Sequence, residues 1–163
     1  MVIIVMGVAG SGKTTVGEKL AAVLHWPFFD ADVFHSPANI AKMSSGIPLT
    51  DEDRMPWLLA MGDAIKTCLA QHQKAVFACS ALKAAYRNIL HLSEPDVKLV
   101  YLQGDFDLLY RRLQARQNHF MKPEMLRSQL ETLEEPPPQE AIYVNVGEPL
   151  EAIVHHITTT LGL

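Results

Sequence analysis

Short apolar runs alternate along the chain with longer stretches in which apolar residues recur every three to four positions. The runs predict strands at Val2–Met6, Pro27–Asp30, Ala75–Cys79, Lys98–Leu102 and Ala141–Val146. Val2–Met6, Ala75–Cys79 and Lys98–Leu102 are apolar at nearly every position, the pattern of strands covered on both faces. The helical periodicity falls at Lys13–Leu24, Asp53–His72, Ala81–Leu92, Asp105–Arg116 and Pro149–Leu161. Start signals go with it: Ser80 as a cap for the third helix, Asp105 in the first turn of the fourth, and Pro149 opening the fifth. Strands alternating with helices predict an α/β fold, a parallel sheet flanked by helices and joined by right-handed crossovers.

Two segments match neither period. Residues 31–50 are rich in Pro, Ser, Gly and Asn, and residues 117–139 end in an acidic, proline-rich stretch at Glu134–Pro138. Loops of this length in a compact domain are usually lids or binding loops. We therefore expect one domain over 1–163, with a substrate-binding segment at about 31–60 and a lid at about 117–135.

Composition narrows the partners. With 48% hydrophobic and 20% charged residues the chain reads as globular, and a net charge of −4 offers no general positive field for a nucleic acid or an anionic membrane. The apolar opening runs straight into a glycine loop without a preceding basic segment, so it predicts neither a signal peptide nor a membrane span, and a cytoplasmic protein is expected. Cys68 and Cys79 lack metal-ligand spacing and read as small core residues, as Trp26 and Trp57 read as core or cleft wall.

Gly7-Val8-Ala9-Gly10-Ser11-Gly12-Lys13-Thr14 matches G-x-x-x-x-G-K-[ST] at every fixed position, between a strand and an amphipathic helix. Glycines at Gly7, Gly10 and Gly12 permit positive φ, so backbone N–H groups can turn inward around a phosphate. Ser11, Thr15 and the start of the helix complete this cradle, whose positive dipole end faces the same point. Lys13 can reach the β- and γ-phosphates, and the Thr14 hydroxyl can ligate Mg²⁺. ATP is the expected nucleotide. The strand Ala75–Cys79 ends without a carboxylate, so an acidic partner for the metal must come from elsewhere.

Asp30 and Asp32 supply candidates, because residues two apart on an extended segment project to one side. We assign Asp30 to Mg²⁺ through water and Asp32 to an acceptor hydroxyl; a solvated strand-end pair is the alternative. Thr50 or Asp51 can cap the next helix, with Pro56 in its first turn, whereas Arg54 at a helix start gains nothing from the dipole and suggests an anionic partner. Lys83 and Arg87 stand at i and i+4 on the expected helix, either as a solvated cationic face or as partners of a substrate carboxylate.

Taken together these motifs resemble the bacterial-type gluconokinases of the shikimate-kinase-like P-loop group. The resemblance rests on Gly7–Thr14, Asp30-Ala31-Asp32 with His35, Lys42-Met43 with Gly46, Asp51–Trp57, Ser80–Lys83 with Tyr86-Arg87, His119-Phe120, Ser128-Gln129 and Leu133-Glu134. It implies a five-stranded parallel P-loop nucleoside-triphosphate-binding fold with a mobile lid, a homodimer, and transfer of the ATP γ-phosphate to the 6-hydroxyl of D-gluconate. Under it, Asp32 orients or deprotonates that hydroxyl, and Arg54, Lys83 and Arg87 are candidates for the sugar acid. The hydroxyl string of gluconate also calls for groups such as His35, Asn39 and Asp32.

The phosphoryl transition state needs more positive charge than Lys13 supplies. Arg112 and Arg116, at i and i+4 on the helix entering the lid, are the candidates: Arg112 for the nucleotide and Arg116 for catalysis, one packing on adenine and the other closing over the phosphates. A basic last turn favoured by the helix dipole is the alternative. Rival functions are a kinase for shikimate or another sugar acid, or a nucleotide-dependent regulatory module without an acceptor.

Overall fold

The computed structural model describes residues 1–115 and 123–163, the side chains of Asp32 and Val33 excepted. In chain order the elements are β1 (Val2–Met6), α1 (Lys13–Leu24), β2 (Phe28–Asp30), a 3-10 turn (Ala31–Phe34), α2 (Pro37–Ser44), α3 (Asp51–Ala70), β3 (Ala75–Ala78), α4 (Ala84–Ile89), β4 (Val97–Gln103), α5 (Phe106–Ala115), α6 (Pro123–Thr132), β5 (Ile142–Asn145) and α7 (Leu150–Leu161).

All strand pairs are parallel, in the order β2-β3-β1-β4-β5. β1 lies at the centre, with Ile4 between Phe77 of β3 and Leu99 of β4. All five of its residues are buried, because an interior strand with helices packed around it presents no wet face. α1 packs with α7 and α3 with α4. The free cysteines, Cys68 and Cys79, are both buried, and Trp57 is buried with them in the main core. A satellite core of Met43, Leu49 and Met125 ties α2 and the segment after it to α6.

The two segments expected to be irregular each contain a helix. α2 carries a strong local signal: the Ser36 hydroxyl accepts from the Asn39 N–H at 3.1 Å, and Pro37 follows in the first turn. α6 occupies the middle of the second segment. α3 begins at Asp51, two residues before the expected start, because Thr50 and Asp53 close a capping box: Asp53 N–H donates to Thr50 Oγ1 at 3.1 Å and Thr50 N–H to Asp53 Oδ2 at 2.9 Å. Pro56 therefore sits beyond the first turn, inside the helix.

The helix expected over 81–92 shrinks to α4. Ala81 takes a positive φ of 45° and Lys83 is an extended N-cap, so Ser80 caps nothing and Lys83 lies outside the helix. Among the described residues, no helix is long and apolar enough to cross a membrane.

Candidate active site

In a parallel sheet every strand delivers its carboxyl end to the same rim, which is where ligands bind in open α/β folds. β1 ends at Met6 and β2 at Asp30, and the chain leaves each into a segment that holds candidate site residues.

After Met6 the chain wraps into the glycine loop. Gly10 and Gly12 adopt φ of 79° and 91°, with Gly12 capping α1. Gly7 does not use positive φ; its requirement is space, since a Cβ there would stand 2.5 Å from Ser11 Oγ and 3.2 Å from the Leu102 carbonyl oxygen. The Ser11 hydroxyl is buried with no hydrogen-bond partner among the described residues. Lys13 Nζ crosses the loop to donate to the Val8 carbonyl at 3.2 Å. Beside the loop lies a cavity of about 370 Å³ lined by Gly10, Gly12, Thr15, Arg112, Val146 and Glu148, among others. Arg112 is fixed there by donation from Nη2 to the Val146 carbonyl at 2.5 Å.

The missing carboxylate at the end of β3 is replaced from β2. Thr14 Oγ1 donates to Asp30 Oδ2 at 2.7 Å, which puts a hydroxyl and a carboxylate, both hard oxygen donors, at the mouth of the loop. No group of three or more His, Cys, Asp or Glu among the described residues could hold a metal by itself. The donor set therefore suits an ion such as Mg²⁺, which keeps several waters and shares phosphate oxygens.

Asp32 lies in the 3-10 turn, its side chain outside the described residues. The turn is anchored by Trp57, whose Nε1 donates to the Ala31 carbonyl at 2.6 Å. The His35 ring stacks on Trp57 at 4.2 Å between centroids, and its Nδ1 is 3.4 Å from Asn39 Nδ2. Asn39 also donates to the Asp53 carbonyl at 2.9 Å, so α2 is tied to the start of α3. Lys42 pairs with Asp53 at 2.9 Å. The Thr50 N–H and the Lys42 ammonium hold the Asp53 carboxyl down at about 2.

Arg54 and Lys83 converge on one group. Arg54 Nη1 donates to Tyr86 Oη at 3.0 Å, the Tyr86 hydroxyl donates to Asp51 Oδ1, and Lys83 Nζ donates to Asp51 Oδ1 at 3.0 Å. The Tyr86 hydroxyl bond and the Lys83 ammonium lower the Asp51 pKa, and the Asp51 carboxylate in turn raises that of Lys83.

Arg87 does not join them. Its Nη1 donates to the Ala81 carbonyl at 2.8 Å, bracing the positive-φ residue, and its side chain is buried. Burial pulls its pKa down, although a guanidinium remains charged at neutral pH. The shared face expected for Lys83 and Arg87 does not exist, because Lys83 precedes the helix. Arg116 and residues 117–122, which lead into α6, lie outside the described residues.

Two residues that entered the sequence reading only as part of the resemblance acquire specific contacts. Gln129 of α6 accepts from the Ala9 N–H of the loop at 2.8 Å through Oε1, across 120 positions of sequence. Glu134 Oε1 accepts from the Ala84 N–H at 2.9 Å and so supplies the cap that α4 lacks locally. Neither follows from a local pattern, since both depend on where α6 comes to rest.

A glycine loop between a central strand and a helix, with a hydroxyl and a carboxylate at its mouth, is the nucleotide site of a P-loop protein, and its relatives make its class that of the ATP-dependent kinases. A family model described as shikimate kinase matches residues 9–161. The thermoresistant gluconokinase of Escherichia coli strain K12 is 44% identical over 153 residues, covering 93% of this chain and 87% of that protein. A gluconokinase from Sinorhizobium meliloti superposes with a TM-score of 0.86 at 45% identity, covering 98% of this chain and 90% of that one. A sugar kinase from Janibacter gives 0.91 at 40% identity, covering 99% and 94%. The chain belongs to the shikimate kinase family and, within it, to the gluconokinases.

Proposed function

We propose that the protein transfers the γ-phosphate of ATP to the 6-hydroxyl of D-gluconate, giving 6-phospho-D-gluconate and ADP. The observation that carries this reading is the arrangement on one rim of the sheet. The phosphate loop with its Thr14–Asp30 contact faces the segment from Ala31 to Arg54, which ends in a cation group suited to a carboxylate. The similarity to gluconokinases over nearly the whole chain supports the same acceptor.

In this reading the loop amides, Ser11, Thr15 and the Lys13 ammonium bind the triphosphate, and Arg112 borders the adenosine in the adjacent cavity. Thr14 and Asp30 would hold Mg²⁺, which when bound offsets negative charge on the phosphates. Asp32 aligns the sugar hydroxyl with the γ-phosphorus and takes up its proton as transfer completes; His35 and Asn39 bind hydroxyls, and Arg54 and Lys83 the carboxylate. In a loose transition state alignment matters more than basicity, so an ordinary aspartate suffices. Residues 31–60 form the substrate segment and 117–135 the lid, with Arg116 at its root supplying further positive charge. We assign the protein to the cytoplasm, as a homodimer acting on a small molecule rather than on nucleic acid or membrane.

The test is an ADP-release assay with and without acceptor. D-gluconate should stimulate ADP formation with one 6-phosphogluconate per ADP, and shikimate should not. Equal ADP release without any acceptor would point to a nucleotide-hydrolysing module. Lys13→Ala should lower turnover by a factor of at least about 10² while leaving the circular dichroism spectrum unchanged, as expected for removing a charge that acts on the transferring group.

A further inference from the structure

We propose that Asp51 is a built-in carboxylate that leaves the Arg54–Lys83 group with a single surplus positive charge, matched to one acid group of the substrate, and that Tyr86 is the positioning residue joining its members. This deepens the gluconate reading and rests on it.

Arg54 is only 6% exposed. A guanidinium removed from water needs an anion or a full set of acceptors, yet among the described residues it makes one hydrogen bond, to Tyr86 Oη, and no ion pair. Its centre lies 5.7 Å from the Tyr86 ring centroid, so tyrosine supplies both an acceptor and an aromatic face. Lys83 Nζ lies 5.6 Å from the same centroid and donates to both oxygens of Asp51, at 3.0 and 3.3 Å. The Tyr86 hydroxyl is the junction, accepting from Arg54 and donating to Asp51.

Helix dipole alone would explain an aspartate in the first turn of α3, but not a tyrosine hydroxyl and a lysine from beyond β3 aimed at it. Two cations and one carboxylate leave one positive charge, and the Arg54 donors not used by Tyr86 have no hydrogen-bond partner among the described residues. The group lies on the ligand rim: α3 must run back across the sheet to feed β3, so its first turn sits where β2 ends. Asp51 competes with that acid for Lys83, and Tyr86 keeps Arg54 from turning toward Asp51 directly.

The experiment compares D-gluconate with D-glucitol, which carries a CH₂OH in place of the carboxylate, in steady-state kinetics of the full chain. Tyr86→Phe should raise KM for gluconate roughly tenfold, the size of one lost hydrogen bond to a charged group. Its kcat and its KM for ATP should stay within about twofold, and its kcat/KM for glucitol should be unchanged. Asp51→Asn should move the other way, lowering KM for gluconate severalfold and making it rise more steeply with KCl, because the surplus charge grows to two. Opposite signs separate charge balance from damaged packing, which would weaken both variants alike. Both variants raising KM for gluconate and glucitol in parallel, or neither changing it, would overturn the inference; should Tyr86→Phe not fold, the direction of the Asp51→Asn change decides alone. A wild-type enzyme inactive on gluconate would instead overturn the substrate reading, and this inference with it.

Discussion

The residue that does most local work around the site is Asp53. It closes the capping box of α3 and pairs with Lys42, while its backbone carbonyl receives Asn39, so one aspartate joins a helix start to the preceding helix. Its carboxyl titrates at about 2 in the folded chain against an ordinary value of 3.8. A lowered folded value means that the unfolded chain takes up the proton first as pH falls. The contribution is therefore fully present above about pH 4 and is lost toward pH 2. Thermal unfolding followed from pH 5 to pH 2 should show a falling midpoint, and Asp53→Asn should flatten that limb while lowering the midpoint at pH 7. At this scale the sequence was legible where a residue's task is local. The loop glycines and Thr50 could be read from their neighbours, whereas Arg87 could not, because its partner is a carbonyl exposed by the unexpected backbone of Ala81.

Among the elements, α3 packs against α4 with no room for a side chain at one position. Its Gly62 faces α4 so closely that a Cβ would meet the Ile89 carbonyl oxygen at 2.6 Å. Alanine is the better helix former by about 1 kcal/mol, but a backbone oxygen cannot move aside cheaply, and the clash should prevail. Gly62→Ala is expected to destabilise the protein by about 1–3 kcal/mol in urea unfolding, by prising α4 from α3. Element identity followed the hydrophobic period wherever burial is symmetrical: β1, β3 and β4 were recognisable as wholly apolar runs. α2 and α6 were missed because each is a short helix set in a segment whose Pro, Ser and Gly content or charge reads as loop, although each has a buried face. α4 was overextended because Ala81 to Lys83 look helical in composition but leave the helix, Ala81 through a positive φ and Lys83 as an extended cap, with Glu134 from far along the chain accepting from the first N–H.

Across the molecule, α6 touches both the phosphate loop and the segment that follows β2. Met125 completes the satellite core with Met43 and Leu49, Leu126 enters the main core, and Gln129 holds the Ala9 N–H. Gln129→Leu would strand that N–H in a buried position, at a cost of about 1–3 kcal/mol. We expect ATP binding, measured by titration calorimetry, to weaken about tenfold while affinity for gluconate is retained, since Met125 keeps its contacts. Unchanged nucleotide affinity would show that the loop holds its shape without α6. No local pattern announces such a link: the acceptor and the amide come together only once the sheet and the last two helices are in place.

The strand order has a consequence for how such an enzyme can change its trade. Because all five strands point the same way, the segments we propose to choose the acceptor are inserted at one end of the sheet, outside its buried interior. If residues 31 to 60 and their neighbours after β3 hold the acceptor, as we propose, a new alcohol calls for rewriting them while the hydrocarbon interior around Ile4 and the loop after Met6 are inherited intact. Grafting that stretch from another small-molecule kinase of this architecture is thus the natural route to altered specificity.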